Sequence, residues 1–553
     1  MKYFGVLIFL LISSSSITFS SPLCHNQEPH TEQIYVVAKV WGFLKYYHPA
    51  VAAGGFAWDE TLLTWLIAAQ DLPDQAALQA YLANEIEKLG HVPPCTKCDN
   101  ARSKDYTGDN FDLSWIGDST LLGAELPPLL QHIEANRFQG TPYYVERDYA
   151  GQVKFINEPE YAESNWAESG YRLLHLIKFW NSVEYYYPYK YMADQPWNEV
   201  LRTMIPQFLN APTEHEFILA LRALTLRLDD SHTVLQCPQT TEIFGARQLP
   251  IRTSWIDNQV VITHLWDDSL AQINDLRVGD VILAYEGITV AERFATHETM
   301  YRGSNPDQKR KNSSLSLLRT QAPRANLTYE RAGVVTQKQV NTYLREEINF
   351  TLPTRERWRS ISPEIAYVDV TALEKDDLKH IVSEVWEHPN LIMDLRGYPN
   401  YILHSLGKQI LPSRRNFVQI VIPDINYPGK FYRLDPHRMG PYMKRSGYQG
   451  RIFVLVNDDS QSLSEFTAMS LQCADQVTTL GHQTSGADGD VVRYTFYEGA
   501  TTYITGIGIR YPDGTLTQRV GVQIDLQVRP TLEGIRAGRD AILEKAIELA
   551  QLP

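Results

Sequence analysis

The sequence predicts a multidomain α+β protein, with a duplicated helical module first, a β-rich domain next and an α/β core last. Three observations predict it. Two blocks near the N-terminal end recur 139 residues later, short glycine-bounded strands fill the middle, and from Ile365 apolar strands alternate with helical stretches. The expected segments are 1–21 as a signal peptide, 31–165 as the first helical repeat with its linker, 166–238 as the second repeat, 239–345 as the β-rich domain and 346–553 as the core. At 553 residues, 44% hydrophobic and 21% charged, the chain can bury several cores and is not of disordered composition.

The first segment differs from the rest. Lys2 precedes the apolar run Phe4–Ile12, and Ser13–Ser21 is mostly small and polar. This is the pattern of a secretory signal peptide with cleavage after Ser20 or Ser21, and the run is about half a membrane-spanning length. Cys24 raises a lipoprotein alternative, against which the bulky Leu23 stands. No later stretch is long and apolar enough to span a bilayer, so the mature chain is expected to be soluble and exported. A net charge of −14 without a basic run argues against nucleic acid or an anionic membrane as partner. Five cysteines are too few for a disulfide scaffold. Cys95 and Cys98 read as a local disulfide or as free thiols; zinc would need a second pair.

The helical repeat rests on Val40–Pro49, which corresponds to Phe179–Pro188, and on Trp58–Leu62, which corresponds to Trp197–Leu201, both without a gap. In the second copy Leu173, Leu176, Ile177 and Trp180 keep a helical period, as do Leu201, Met204, Ile205 and Phe208. A third helix opens with a capping box at Thr213–Glu216 and carries Phe217, Leu221, Leu224 and Leu228 on one face. It ends in Asp229-Asp-Ser-His-Thr233. The tyrosine pairs Tyr46–Tyr47 and Tyr185–Tyr187 suit core packing better than a ligand cage. Residues 101–170 give no clear elements. Farther on, Ala366–Val370, Leu391–Leu395, Ile452–Val456 and Val477–Leu480 read as buried strands, and 540–550 as a closing helix.

Chemistry concentrates where the strand ending at Val456 meets a polar turn and a helix beginning near Ser462. A serine there lies at the positive end of a helix, whose free N–H groups can stabilise an oxyanion. Ser462-Leu-Ser-Glu465 equally fits a capping box, with Ser462 as a plain N-cap. A serine nucleophile needs a base. His232 stands at a helix-end turn from which it can face a cleft, though a lone histidine is usually surface or packing. Ser231 beside it could hold the imidazole or cap the turn.

These motifs, taken in order, resemble the S41 serine peptidases, the family of carboxyl-terminal processing proteases and the tricorn core. The order runs from Asp230-Ser-His-Thr233 through Val278-Gly-Asp-Val-Ile282, Asp394-Leu-Arg-Gly397, Ser462-Leu-Ser-Glu465 and Leu480–Gly486 to Gly521–Val528 with Ala537–Asp540. The resemblance implies a PDZ-like β-rich domain and a ClpP/crotonase-like α/β peptidase core. It also implies Ser462 as nucleophile. The lysine of the processing proteases falls on Ala487, within Gly486-Ala-Asp-Gly489, so a Ser–Lys dyad is not available there. The tricorn-like branch takes its base from a histidine preceded by a serine, which match His232 and Ser231. Its orienting glutamate falls on Gln518, which could hydrogen-bond Ser231 but brings no charge. The oxyanion donors carried over are the N–H groups of Leu463 and Gly397, with Asn400 behind Gly397, since Pro399 has none. Asp394 and Arg396 are expected to hold their turn. The PDZ-like segment at Val278, Gly279 and Asp280 is carried over as substrate-binding, by adding a peptide as a strand, or else as a lid.

The expectation is an exported serine endopeptidase acting on proteins or peptides, with Ser462 as nucleophile, His232 as general base and no metal or cofactor. The resemblance places it in the periplasm of a Gram-negative envelope or outside the cell. The alternative is a non-catalytic binder of peptides or hydrophobic ligands on the same fold, as in the family's retinoid-binding relatives. A third reading makes Cys473, in an apolar helix, the nucleophile.

Overall fold

The structure is a computed structural model that describes residues 30–552 except 99–103, 352–355 and 445. The expected signal peptide and Cys24 lie outside the described residues. Among those described, no helix is long and apolar enough to cross a membrane.

The N-terminal half is built on helices α1 (Thr31–Tyr47), α2 (Trp58–Asp71), α3 (Ser169–Tyr186), α4 (Trp197–Leu209) and α5 (Glu214–Leu226). Helices α1 and α3 are buried on nearly every side, as their all-round apolar sequences require. They pass so closely that a Cβ on Gly42 would meet the Asn181 side chain, whose Nδ2 donates to Ala38 O at 3.1 Å. Each of them is clasped to its neighbour by an indole pair. Trp41 and Trp58 stack and exchange N–H···O=C bonds of 2.8 and 3.2 Å; Trp180 and Trp197 do the same at 2.8 and 3.1 Å. The capping box at Thr213 and Glu216 forms and starts α5. Residues 101–170, unreadable from sequence, supply short helices and the hairpin of Val145–Arg147 with Val153–Phe155. Cys95 and Cys98 are disulfide-bonded.

Next come β1 (Ile251–Ile256), β2 (Gln259–Leu265), β3 (Val281–Tyr285), β4 (Arg324–Arg331) and β5 (Val334–Asn341), which form an antiparallel sheet in that order, with the short strand Ile288–Thr289 beside β3. The core sheet follows from β6 (Trp358–Ser362), β7 (Ile365–Asp369) and β8 (Asn390–Asp394). After β9 (Arg415–Pro423) in a separate sheet come β10 (Arg451–Val456), helix α6 (Leu463–Leu471) and β11 (Val477–Gly481). Then follow the hairpin β12 (Val491–Tyr497) and β13 (Ala500–Thr505), the short strands β14 (Gly508–Arg510) and β15 (Leu526–Gln527), and helix α7 (Ala541–Gln551). The core order is β6-β7-β8-β10-β11-β15, parallel throughout except for β6.

A parallel sheet must be covered on both faces, and the alternation of side chains shows how. Ala366, Val368, Leu391, Met393, Ile452 and Val454 share one buried cluster with Ala468, Met469 and Leu471 of α6 and with the helices of 377–384 and 403–410, while Ile365, Tyr367, Ile392, Phe453 and Leu455 pack under Ile542 and Ala546 of α7. Each such aliphatic side chain contributes about 1.5–3 kcal/mol when fully buried. Helix α6 ends at Leu471, so Cys473 lies beyond it rather than within the helix as expected.

Candidate active site

Central strand β10 delivers the chain to the surface at Val456, and the turn Asn457–Gln461 leads into α6. Ser462 at that junction has φ 54° and ψ −116°, outside the ordinary regions for a residue with a Cβ. The turn is pinned from below: the Ser460 and Ser464 hydroxyls both donate to Leu395 O at 2.7 Å. Of the capping box foreseen there, the Ser462 N–H donates to Glu465 Oε2 at 3.2 Å, whereas the serine hydroxyl makes no capping bond in return. The second bond of the Ser462 N–H goes to Ala487 O at 3.0 Å. Strained backbone with an uncommitted hydroxyl is what a strand-to-helix nucleophile turn needs, and a simple cap does not.

Ser462 opens into a cleft of about 440 Å³, bordered on its apolar side by Leu463, Phe466, Ile507 and Ile509 and on its polar side by Asp488 and Asp490. Asp488 is buried; its Oδ1 accepts the Gly489 N–H at 2.7 Å, and its Oδ2 has no partner among the described residues. Burial pushes its carboxyl well above the usual range, and Glu465 pushes the same way. Ala487, onto which the resemblance carries the lysine of the processing proteases, is buried and bonds Glu465 through its N–H at 3.1 Å.

His232 stands at the end of the helical half and is not itself among the residues that border the cleft. Gln236 and Thr501 exchange backbone bonds, which runs the histidine segment along β13. His232 Nδ1 lies 3.0 Å from Thr505 Oγ1 and 3.4 Å from Asp230 Oδ1, and Thr505 donates to Asp230 Oδ2 at 2.5 Å. The His232 Nε2 is buried without a hydrogen-bond partner among the described residues. Thr505 is the register partner of Val491, which follows directly on the 488–490 turn bordering the Ser462 cleft. Burial works to raise the Asp230 carboxyl, but the hydrogen bonds from His232 and Thr505 outweigh it and hold it below the ordinary range.

The remaining expected residues fall in different places. Ser231 and Ser304 exchange N–H···Oγ bonds of 2.8 and 2.9 Å, and the Ser304 hydroxyl donates to Ser231 Oγ at 3.1 Å. The hydrogen bond envisaged from Gln518 to Ser231 is not formed. Gln518 is buried with neither amide atom paired among the described residues, because Thr517 and Arg519 are fixed to Ile509 O and Gly486 O on either side of it. The N–H groups of Leu463 and Gly397 have no acceptor among the described residues. Arg396 forks onto Asp394 and Asp540 at 2.7 Å, which fixes the turn bearing Gly397, as expected. In the β-rich domain Asp280 is taken by Arg331 at 2.7 Å and Gly279 O by Arg536 at 3.0 Å, so of Val278, Gly279 and Asp280 only Val278 is exposed. None of the three borders the Ser462 cleft. Sequence reading passed over Thr505 and Asp488; a threonine in a hairpin strand carries no local signal, whereas Asp488 stood in the quoted Gly486–Gly489 turn.

Among the described residues no cluster of three His, Cys, Asp or Glu side chains could hold a metal ion. As for Cys473, burial pushes its thiol up to about 12, and its Sγ is spent on Asn416 O and Met469 O, which removes the third reading.

Residues 364–528, which hold the parallel sheet, the Ser462 turn and both cleft acids, match the model of peptidase family S41. It is this segment of the chain that carries the likeness to peptidase family S41. The S41 core makes it a serine-type peptidase. Among solved structures, mature CPAF complexed with lactacystin is similar at 13% identity and a TM-score of 0.55, over 69% of this chain and 98% of that one. The photosystem II D1 C-terminal processing protease is similar at 18% identity and a TM-score of 0.38, over 67% of this chain and 98% of that one. The first likeness establishes a shared fold beyond the S41 segment; the second adds nothing to it. A search of curated proteins returns no match.

Proposed function

We propose that this S41 peptidase is an exported serine endopeptidase in which Ser462 is the nucleophile and His232 the general base and acid. In this reading the Ser462 O–H bond breaks as its proton passes to His232 Nε2, and an Oγ–C bond forms to the peptide carbonyl. The carbonyl oxygen takes its charge against the N–H groups of Leu463 and Gly397. The C–N bond then breaks, and Nε2 returns the proton to the leaving amine. Water hydrolyses the acyl-enzyme by the same route in reverse.

One observation carries the reading: the strained Ser462, whose hydroxyl makes no capping bond, borders a cleft whose 488–490 turn leads into the strand paired with Thr505, and Thr505 contacts His232, whose buried Nε2 has no partner among the described residues. Buried polar atoms without partners are uncommon, and a catalytic role is one of the explanations they call for. Export is supported by Lys2 with Phe4–Ile12 and by the Cys95–Cys98 disulfide, which suits an oxidising compartment such as the periplasm. The duplication is supported by the two equivalent indole clasps and by the meeting of Gly42 with Asn181, its counterpart 139 residues on. The antiparallel sheet of 251–341 is read as the PDZ-like module; with Gly279 and Asp280 spent internally, peptide capture falls to its strand edges.

The test is labelling of the purified protein with a fluorophosphonate probe, beside Ser462→Ala and His232→Ala. Labelling of the wild type and its loss in both variants is the expected result. A folded wild type that takes no label would transfer the assignment to the non-catalytic binding protein, which the uncharged, unpaired Gln518 favours.

A further inference from the structure

The base of a serine peptidase works only in one tautomer: the nitrogen facing the nucleophile must carry the lone pair, and the other must carry the proton. Something must therefore accept the Nδ1–H of His232. Ser231 is closed on Ser304, and Gln518 makes no bond, so neither position inferred by resemblance does it.

We propose that Thr505 and Asp230 are the positioning pair of His232, with Thr505 Oγ1 accepting the Nδ1–H and Asp230 holding Thr505 in the orientation that makes it an acceptor. The proposal rests on the reading of His232 as the base of Ser462. A hydroxyl has one proton to give, and an ionised carboxylate can only accept. The 2.5 Å bond from Thr505 Oγ1 to Asp230 Oδ2 uses that proton. The 3.0 Å contact between Thr505 Oγ1 and His232 Nδ1 must then run from nitrogen to oxygen, which places the proton on Nδ1 and the lone pair on Nε2. Asp230 also braces the residue directly: its Oδ1 accepts the His232 backbone N–H at 2.9 Å and lies 3.4 Å from Nδ1. It thus sets negative charge on the side of the ring away from Nε2, where it stabilises the imidazolium formed during the reaction. The Tyr187 hydroxyl adds a 3.3 Å bond to Asp230 Oδ2. Asp230 remains ionised throughout and takes no proton. The carboxylate that the family resemblance puts near Gln518 is thereby supplied from two residues before the histidine, relayed through a strand 275 residues away.

Three variants test this: Thr505→Val, which keeps the shape and removes the hydroxyl, Thr505→Ser, which restores it, and Asp230→Asn. The full-length mature protein is labelled with ¹⁵N-histidine, and the His232 signals are assigned by their disappearance in His232→Gln. The expected result is the Nδ1–H tautomer in the wild type and in Thr505→Ser, with that tautomer lost in Thr505→Val. The limiting rate of fluorophosphonate labelling falls on the order of 10²- to 10⁴-fold in Thr505→Val and Asp230→Asn, without a change in probe affinity, and recovers in Thr505→Ser. A wild-type Nε2–H tautomer, or a Thr505→Val protein that labels at the wild-type rate, overturns the proposal. A wild type that takes no label yet shows the Nδ1–H tautomer refutes the peptidase reading alone and sustains the positioning pair.

Discussion

The carboxylate of Glu465 accepts the N–H of Ser462 at 3.2 Å and also the Thr484 hydroxyl at 2.6 Å, the Gly486 N–H at 2.8 Å and the Ala487 N–H at 3.1 Å. One buried acid on the first turn of α6 therefore joins the Ser462 turn to the 484–487 loop. Its four donors do not fully offset its burial, which still pushes the carboxyl above the ordinary range.

Glu465→Ala is expected to leave these donors unpaired in the interior, at about 1–3 kcal/mol for each. Urea unfolding should show the loss, and fluorophosphonate labelling of Ser462 should fall with it. A variant of wild-type stability would mean that the loop is held by other contacts.

Asp488 has the opposite character, a fully buried acid with one oxygen unpaired. Its folded-state value lies above its unfolded value, so its contribution to stability is complete below the unfolded value and is lost as pH rises through the folded one. Asp488→Asn keeps the shape and removes the ionisation. Thermal midpoints measured from the ordinary carboxylate range upward should fall less steeply with pH in the variant than in the wild type.

In the N-terminal helical half, Asp59 bonds Lys178 at 2.6 Å and the Tyr161 hydroxyl at 2.6 Å, while Glu158 joins Lys178 at 2.7 Å to Lys45 at 2.6 Å. Burial works to raise Asp59, and Lys45 and Lys178 outweigh it, so its carboxyl titrates below the ordinary range. Its stabilisation is present above the unfolded value and lost as pH falls through the folded one. Asp59→Asn should cost about 3–5 kcal/mol at neutral pH by leaving a buried lysine under-paired. The difference from the wild type should shrink on acidification, as read by denaturant unfolding at several pH values.

Cys473 offers a control on the nucleophile. With its thiol held protonated by burial, it should react slowly with iodoacetamide at neutral pH, and Cys473→Ser should label with fluorophosphonate as the wild type does. Fast alkylation that abolished labelling would count against Ser462.

Much of the architecture was legible because it is written in local periodicity. Leu391–Leu395 was read as a strand and is one over Asn390–Asp394; Ile452–Val456 lies within Arg451–Val456, and the closing helix lies where its apolar spacing put it. The capping box at Thr213 needed only four residues to be recognised. The candidate site was legible in part: Ser462 stood out by its strand–turn–helix setting and His232 by its place at a helix end. The role of Ser231 was not legible, since its partner Ser304 lies 73 residues away along the chain. Residues 101–170 escaped reading because their short elements carry too few turns or alternations to register.

The sequence by itself determined which faces are buried and hence where strands, helices and the elbow fall, since burial follows spacing along a single segment. Only the tertiary structure decided which polar atoms meet. Asp230 was visible in its motif, but its bond to Thr505 and the closure of Ser231 on Ser304 depend on segments 275 and 73 residues apart arriving within 3 Å or so. A hydrogen bond is a matter of short distance and direction, and no pattern along the chain encodes either for residues so far apart.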